Sequence, residues 1–327
     1  MRKITIEGVG SYLPGRVVTN DDLAKVVDTS DEWIRTRTGI GERHLAAEGE
    51  ACSDLAVRAA QQALDDAKLA PNDIDLLIVA TVTPDHVTPA AAVLIQSKLG
   101  LRSVPSFDMN AACSGFLYAL EAARSLFQNE RYRHALVIGS EKLSSIVNWE
   151  DRGTCVLFGD GAGAFVLGNG ASDLPVITDG LAGSDGSAAN LLYVPAGGSA
   201  QPASAETVEK HLHTVVMNGR ELFKAAVHHM AEATEELLRR NGLTTEDIAW
   251  FVPHQANIRI VQALAQQLQV PIERFVCNIE HTGNTSAASI PIAFAQAKAE
   301  GRFQKGDRTV LVAFGAGLTW AATLVEW

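Results

Sequence analysis

Leu64–Val79 reads LDDAKLAPNDIDLLIV, and Leu238–Val252 reads LRRNGLTTEDIAWFV. Leu64, Leu69, Asp73 and Ile74 of the first stretch fall on Leu238, Leu243, Asp247 and Ile248 of the second, at one constant separation of 174 residues. Each stretch carries the end of an amphipathic helix, a polar turn and the start of an apolar strand. The same separation lays Ala135–Gly139 (ALVIG) over Thr309–Ala313 (TVLVA). A match at fixed offset through several elements marks an internal duplication, and two copies are too few for a solenoid.

Working outward, strand-like runs at Ile74–Val82, Val104–Met109, Ala135–Gly139 and Ala164–Leu167 are separated by helix-like periodicity at Asp54–Ala67 and Ser114–Phe127. The second half repeats the scheme. A long amphipathic helix is predicted from Gly219 to Arg240, followed by Ile248–Val252, Ile258–Leu268, Arg274–Ile279, Ser286–Ala299 and Thr309–Phe314. Alternation of this kind predicts an α/β protein with buried sheets, in two halves, 1–175 and 176–327. From Asp179 to Glu206 the chain is rich in Gly, Ser, Ala and Pro, which predicts a loop-rich insertion between the halves.

A chain of 327 residues has ample length for a large core, and 47% hydrophobic with 20% charged residues is ordinary for a globular α/β enzyme. No apolar run approaches the roughly 18–20 residues that span a bilayer, and the N-terminus opens on an alternating strand rather than a signal segment, so a cytoplasmic protein with no membrane partner is expected. Cys52, Cys113, Cys155 and Cys277 are scattered without CxxC pairing, which predicts reduced thiols and no metal centre. A formal charge of −11 argues against a nucleic-acid partner.

Cys113 lies in SFDMNAACSGFLYALEAARSLF, where an apolar strand passes through small residues directly into an amphipathic helix. A thiol at a helix N-terminus is favoured as thiolate, the nucleophilic form; the plainer alternative is a small buried hydrophobe. His254, in WFVPHQANIRI, follows a buried strand, and Asn284, in IEHTGNTSAASIPIA, sits at another strand-to-helix junction. Taken singly, the first could be packing and the second a helix cap. Duplication brings such junctions toward one pocket. The glycines of FGDGAGAFVLG lead into a strand, unlike a dinucleotide loop, and His211, His213, His228 and His229, with no carboxylate or Cys companion in view, are read as surface residues.

Together the segments GSYLPGRVVTN, TSDEWIRTRTGI, AACSGF, DRGT, FGDGAGA, VPHQANIRI, HTGNTSAAS and FGAGLTW resemble, in one order and over essentially the whole chain, the ketoacyl-ACP synthase III family of thiolase-fold condensing enzymes. The resemblance implies a thiolase-like duplicated αβαβα layered fold and an acyltransferase of fatty acid biosynthesis. It implies that Cys113 takes an acyl group from acyl-CoA, that the N–H groups of Cys113 and Ala316 form an oxyanion hole, and that His254 and Asn284 drive decarboxylation of malonyl-acyl carrier protein. No cofactor is implied, because the coenzyme A and phosphopantetheine thioesters are substrates. It further implies coenzyme A binding by Trp33, Arg37, Arg152, Phe223, Asn257 and Arg259, carrier-protein docking at Arg220, Lys224 and Arg259, and a homodimer. Thr88 falls where acetyl-selective members place Phe, which implies an acyl pocket with room for longer donors and a wall supplied by the partner subunit. An alternative within the same resemblance is a related acyltransferase or condensing enzyme of specialised metabolism.

Overall fold

In the computed structural model of the protein, which describes residues 3–170 and 173–327, the two matched stretches take one backbone course. Helix Cys52–Ala67 ends on Lys68 with φ 56°, and helix Gly219–Arg240 is followed by Gly242 with φ 65°. The Leu69 N–H closes on the Leu64 carbonyl and the Leu243 N–H on the Leu238 carbonyl, each at 3.0 Å, the wide turn that stops a helix on a left-handed residue. Asp73 and Asp247 then accept the N–H groups of Ala70 and Thr244 at 2.8 Å, capping the turns Pro71–Asp73 and Thr245–Asp247. Ile74 and Ile248, which follow, are fully buried. The repeated positions are therefore those that the helix stop, the turn and the first core contact require.

Nine strands form one sheet in the order Trp250–Pro253, Arg308–Gly315, Thr319–Glu326, Val176–Ser184, Ile4–Tyr12, Gly161–Gly168, His134–Glu141, Leu76–Ala80, Ser106–Met109. In the first half Leu76–Ala80 runs parallel to both its neighbours, and Gly161–Gly168 is antiparallel to both of its own. The second half repeats this: Trp250–Pro253 is parallel to Arg308–Gly315, and the next two pairings are antiparallel. The halves join edge to edge where Ile4 and Thr5 face Ile177 and Val176. All five residues of Leu76–Ala80 are buried, as expected of a strand covered on both faces.

Helices Gly115–Leu126 and Ser289–Ala299 form the middle layer, each touching strands of both halves. Cys52–Ala67 and Ala91–Leu99 cover the outer face of the first half, and Gly219–Arg240 with Ile258–Leu268 cover that of the second. The result is the expected αβαβα order of layers. Among the described residues no helix is long and apolar enough to cross a membrane; Met1 and Arg2, at the head of the expected first strand, lie outside them.

Two expectations are corrected. Asp179–Ser184, read as the start of an insertion, belongs to the strand Val176–Ser184, whose neighbours Thr319–Glu326 and Ile4–Tyr12 accommodate its glycines within the sheet. Only the stretch between strand Leu192–Tyr193 and helix Ala205–Glu209 is irregular as predicted. Arg274–Ile279 forms no strand: one bridge, Phe251 to Phe275, is all that pairs. Pro253 has no N–H to continue the ladder, and the Gln255 side chain replaces it, donating to the Val276 carbonyl at 3.0 Å and accepting the Asn278 N–H at 3.2 Å.

Candidate active site

Cys113 sits on the turn Ala112–Ser114, immediately ahead of helix Gly115–Leu126. Ala112 holds φ at +46°, and Asn110 Oδ1 accepts the Ala112 N–H at 3.4 Å. One repeat later Ser286 holds φ at +47°, and Asn284 Oδ1 accepts the Ser286 N–H at 2.8 Å, ahead of helix Ser289–Ala299. Asn284 is thus the counterpart of Asn110, at the 174-residue separation, and the two elbows are built alike. The elbow at Cys113 is braced by the hairpin between Arg308–Gly315 and Thr319–Glu326: Thr319 Oγ1 donates to the Ala111 carbonyl at 2.9 Å, and Ser114 Oγ donates to the Thr319 carbonyl at 3.1 Å. A Cβ on Gly315 would meet the Cys113 backbone nitrogen at 2.7 Å, so only glycine lets this hairpin approach the nucleophile.

Burial pushes the Cys113 thiol up to about 12. This corrects the expectation of a resting thiolate: desolvation outweighs the helix N-terminus, and the sulfur carries its proton until something removes it. The residue's remaining exposure is to cavities that open on either side of it.

His254 follows strand Trp250–Pro253 and is tied to the neighbouring strand by its N–H, which donates to the Val312 carbonyl at 2.8 Å. Its Nδ1 lies 2.6 Å from Ser289 Oγ, at the start of the middle-layer helix. Burial holds the imidazole down at about 3, so it is neutral at physiological pH. Among the described residues Ser289 Oγ has no other acceptor, so its hydroxyl donates to Nδ1 and the ring proton is assigned to Nε2. Asn284 is fixed as firmly: its N–H donates to the Leu157 carbonyl at 2.8 Å and its carbonyl accepts the Gly159 N–H at 3.0 Å. With Oδ1 spent on Ser286, its amide nitrogen is left to the cavity.

Cys113, His254 and Asn284 line one cavity of about 240 Å³. Trp33, Arg37, Phe223 and Asn257 line it as well. Arg152 does not, but its guanidinium lies 4.8 Å over the Trp33 ring, beside that of Arg37 at 4.5 Å. Asn257 is occupied in structure: it caps helix Ile258–Leu268 through the Arg259 N–H at 2.9 Å and donates to the Arg37 carbonyl at 3.0 Å. Arg220, Lys224 and Arg259 are exposed, with Lys224 paired to Glu221 at 3.2 Å. A second, more open cavity of about 810 Å³ meets the first at Cys113 and is lined by Ala316. Thr88 reaches neither cavity of its own chain; it stands on an exposed loop beside Val87, which is 98% exposed and lies at the rim of the second.

Sequence reasoning missed Ser286, Ser289, Thr319 and Gly315 as supports. The signal was present, since Ser286 and Ser289 lie one repeat after Ala112 and Gly115 within the segment that holds Asn284. It also missed Glu232 as a companion of His228 and His229, whose ligand atoms gather within 4.8 Å. His229 stacks on Trp320 at 4.2 Å, so that ring is engaged in packing.

Comparison with known proteins gives a consistent result. Residues 107–186 match the family described as 3-oxoacyl-[acyl-carrier-protein] synthase III, and residues 238–327 match its C-terminal part. A beta-ketoacyl-[acyl-carrier-protein] synthase III of Caldanaerobacter subterraneus subsp. tengcongensis is 52% identical over 322 residues, covering 98% of this chain and 97% of that one. The crystal structure of 3-oxoacyl-[acyl-carrier-protein] synthase III from Aquifex aeolicus VF5 superposes with a TM-score of 0.91 at 46% identity, covering 99% and 100% of the two chains. The priming beta-ketosynthase from the R1128 polyketide biosynthetic pathway does so at 0.90 and 37% identity, covering 99% and 96%.

Proposed function

The chain belongs to the 3-oxoacyl-[acyl-carrier-protein] synthase III family, and we propose that its condensation of an acyl-CoA with a malonyl thioester runs on Cys113, His254 and Asn284. It is a condensing acyltransferase of fatty acid synthesis. The observation that carries the residue assignment is the single cavity that all three side chains line.

Acyl-CoA lies along the first cavity, with its adenine end toward Trp33, Arg37 and Arg152, where rings stack and guanidiniums pair with phosphate. Cys113 Sγ attacks the thioester carbonyl, the N–H groups of Cys113 and Ala316 take the oxyanion, and the bond to the coenzyme A sulfur breaks. The malonyl thioester then occupies the vacated space. As its carboxylate leaves as carbon dioxide, charge moves to the thioester oxygen, which receives hydrogen bonds from His254 Nε2–H and Asn284 Nδ2–H. Because both donors are neutral, neither pairs with the carboxylate strongly enough to hold it back. The enolate carbon attacks the acyl-Cys113 carbonyl, and a 3-ketoacyl product two carbons longer departs. The electrons for the new bond come from the broken carbon–carbon bond, so the reaction as drawn uses no redox or metal cofactor.

The size of the second cavity supports donors longer than acetyl, with Thr88 of a second copy closing a cavity that one chain leaves open beside Val87. A homodimer in the cytoplasm, and malonyl delivery by a carrier protein docking near Arg220, Lys224 and Arg259, belong to the same proposal. The likeness to a polyketide priming synthase favours a second reading, in which the same chemistry starts a specialised product. Intact-protein mass spectrometry after exposure to acetyl-CoA or octanoyl-CoA, followed by malonyl-acyl carrier protein, tests these points together. An acyl adduct lost in a Cys113→Ala variant, and discharged with carbon dioxide release, is expected. A wild-type protein that takes no adduct refutes the assignment, and a strong preference for acetyl refutes the long-donor pocket.

A further inference from the structure

The Cys113 sulfur has a neighbour that the condensation leaves unused. Ser286 hydrogen-bonds the Cys113 thiol through its side chain and also hydrogen-bonds the carboxylate of Glu141. It lines the same second cavity as Cys113 and Ala316. Glu141 ends the strand His134–Glu141 and is fully buried. Its carboxylate accepts the Thr83 hydroxyl at 2.6 Å, the Thr81 hydroxyl at 3.2 Å and the Val82 N–H at 3.1 Å.

The titratable groups that act on it are the thiols of Cys52, from helix Cys52–Ala67, and of Cys113. The adjacent Lys142 turns its ammonium away, to the Glu50 carbonyl at 2.6 Å. A carboxylate buried without a cation is costly as an anion, and a group that merely pinned the Thr81–Thr83 turn would do so more cheaply as an amide. Burial brings Glu141 up to about 7, where it gains and loses a proton near neutrality. The bridging residue is equally specific. Ala112 takes the same left-handed backbone as Ser286 one repeat earlier, so the fold needs no hydroxyl at that point.

We propose that Glu141 stores the Cys113 proton during each turnover, with Ser286 Oγ as the bridge between them. This rests on the reading that Cys113 is acylated. In acylation the Cys113 S–H bond breaks as its proton passes to Ser286 Oγ and the Ser286 hydroxyl proton passes to Glu141. One negative charge stays in the buried site throughout and moves from carboxylate to sulfur. The thiolate bonds to the acyl carbon, the bond to the coenzyme A sulfur breaks, and the departing thiolate takes a proton from solvent. Glu141 stays neutral while the acyl group is in place, which removes a buried negative charge from the path of the malonyl carboxylate. When the new carbon–carbon bond forms and Cys113 leaves as thiolate, the proton returns along the same route. Each turnover therefore consumes one solvent proton, which ends on coenzyme A.

The test is the acylation half-reaction alone, followed by rapid quench and intact mass from pH 5.5 to 9. Acetyl-CoA and octanoyl-CoA serve as donors, with wild type, Glu141→Gln, Ser286→Ala and Cys113→Ala. The wild-type rate is expected to rise with pH and level off above about 7, set by the carboxylate. Both bridge variants should fall at least ten-fold at pH 8, lose the inflection and climb throughout the range. A rate that drops with its inflection unmoved would mark these residues as packing only and overturn the proton store, as would a wild-type profile in either variant. In both of those cases acylation of Cys113 still stands. A wild-type protein that leaves Cys113 unacylated removes both ideas. Should Glu141→Gln fail to fold, Ser286→Ala decides alone, because Ala112 already shows alanine in that backbone conformation.

Discussion

The hydroxyl of Ser289 decides which nitrogen of His254 carries a proton, and so whether the ring can donate to a developing enolate. Replacing Ser289 by Ala frees Nδ1 to hold the proton and leaves Nε2 bare half of the time or more. Decarboxylation of a malonyl thioester should then slow by about ten- to a hundred-fold, the cost of one misdirected donor, while acylation of Cys113 changes little. Carbon dioxide release set beside adduct formation separates the two. A second consequence concerns stability. His254 has its folded pKa lowered to about 3 from an ordinary 6.5, so the unfolded chain binds the extra proton first as pH falls. The stability tied to the neutral ring is full above about 6.5 and is lost progressively down to about 3, at roughly 1.4 kcal/mol per pH unit. A His254→Gln variant lacks this slope. Its thermal midpoint should gain on that of wild type as pH falls from 6.5 to 5, and a constant difference would contradict the buried neutral ring. That His254 could be chemical was legible from its place after an apolar strand. The tautomer was not, because it depends on a residue 35 positions away that only folding brings alongside.

Elements rather than single side chains set the approach of the oxyanion donors. The strand Arg308–Gly315 ends against the Cys113 elbow so closely that the glycine's missing Cβ is part of the geometry. In Gly315→Ala the new methyl would meet the backbone nitrogens of Cys113 and Ser114 at 2.7 and 3.0 Å, and backbone yields less readily than a side chain. The hairpin that carries Ala316 must shift. Acylation is expected to fall by about a hundred-fold or more, with a stability loss of about 1–3 kcal/mol. A quench-flow adduct rate within threefold of wild type would show that Ala316 does not depend on this approach. Most elements could be read from periodicity, and helices Gly219–Arg240 and Ile258–Leu268 fall where the apolar spacing puts them. The strand expected at Arg274–Ile279 could not be, since its pattern is strand-like. What stops it is a missing N–H on Pro253 and the reach of Gln255 across to Val276 and Asn278, a contact between chain segments and not a local preference.

At the scale of the molecule the duplication explains why catalytic groups so far apart in sequence share one cavity. Each half contributes a strand-to-helix elbow, and the two elbows meet because their helices form a common middle layer. That layer is also an exchange of packing surfaces. Helix Gly115–Leu126, from the first half, packs on Val176–Ser184, Arg308–Gly315 and Thr319–Glu326; helix Ser289–Ala299, from the second, packs on Ile4–Tyr12 and Gly161–Gly168. Phe165 shows the dependence directly: its ring contacts Phe116 of its own half at 4.9 Å and Phe294 of the other at 4.8 Å. The 1–175 and 176–327 division is therefore a record of how the chain repeats, and the two parts should not stand alone as folded units. Expressed by itself, 1–175 would uncover the whole bed of Ser289–Ala299, including Phe165, and one edge of Ile4–Tyr12, an apolar face with an open strand beside it. We expect that fragment to aggregate, or to lack the sharp unfolding transition and dispersed amide spectrum of a native protein. Mixing it with 176–327 during refolding should restore a cavity in which iodoacetamide labels Cys113 and acyl-CoA protects it. A fragment that melts cooperatively on its own would show instead that each half specifies its structure without the other, and that the shared middle layer serves the site and not the fold.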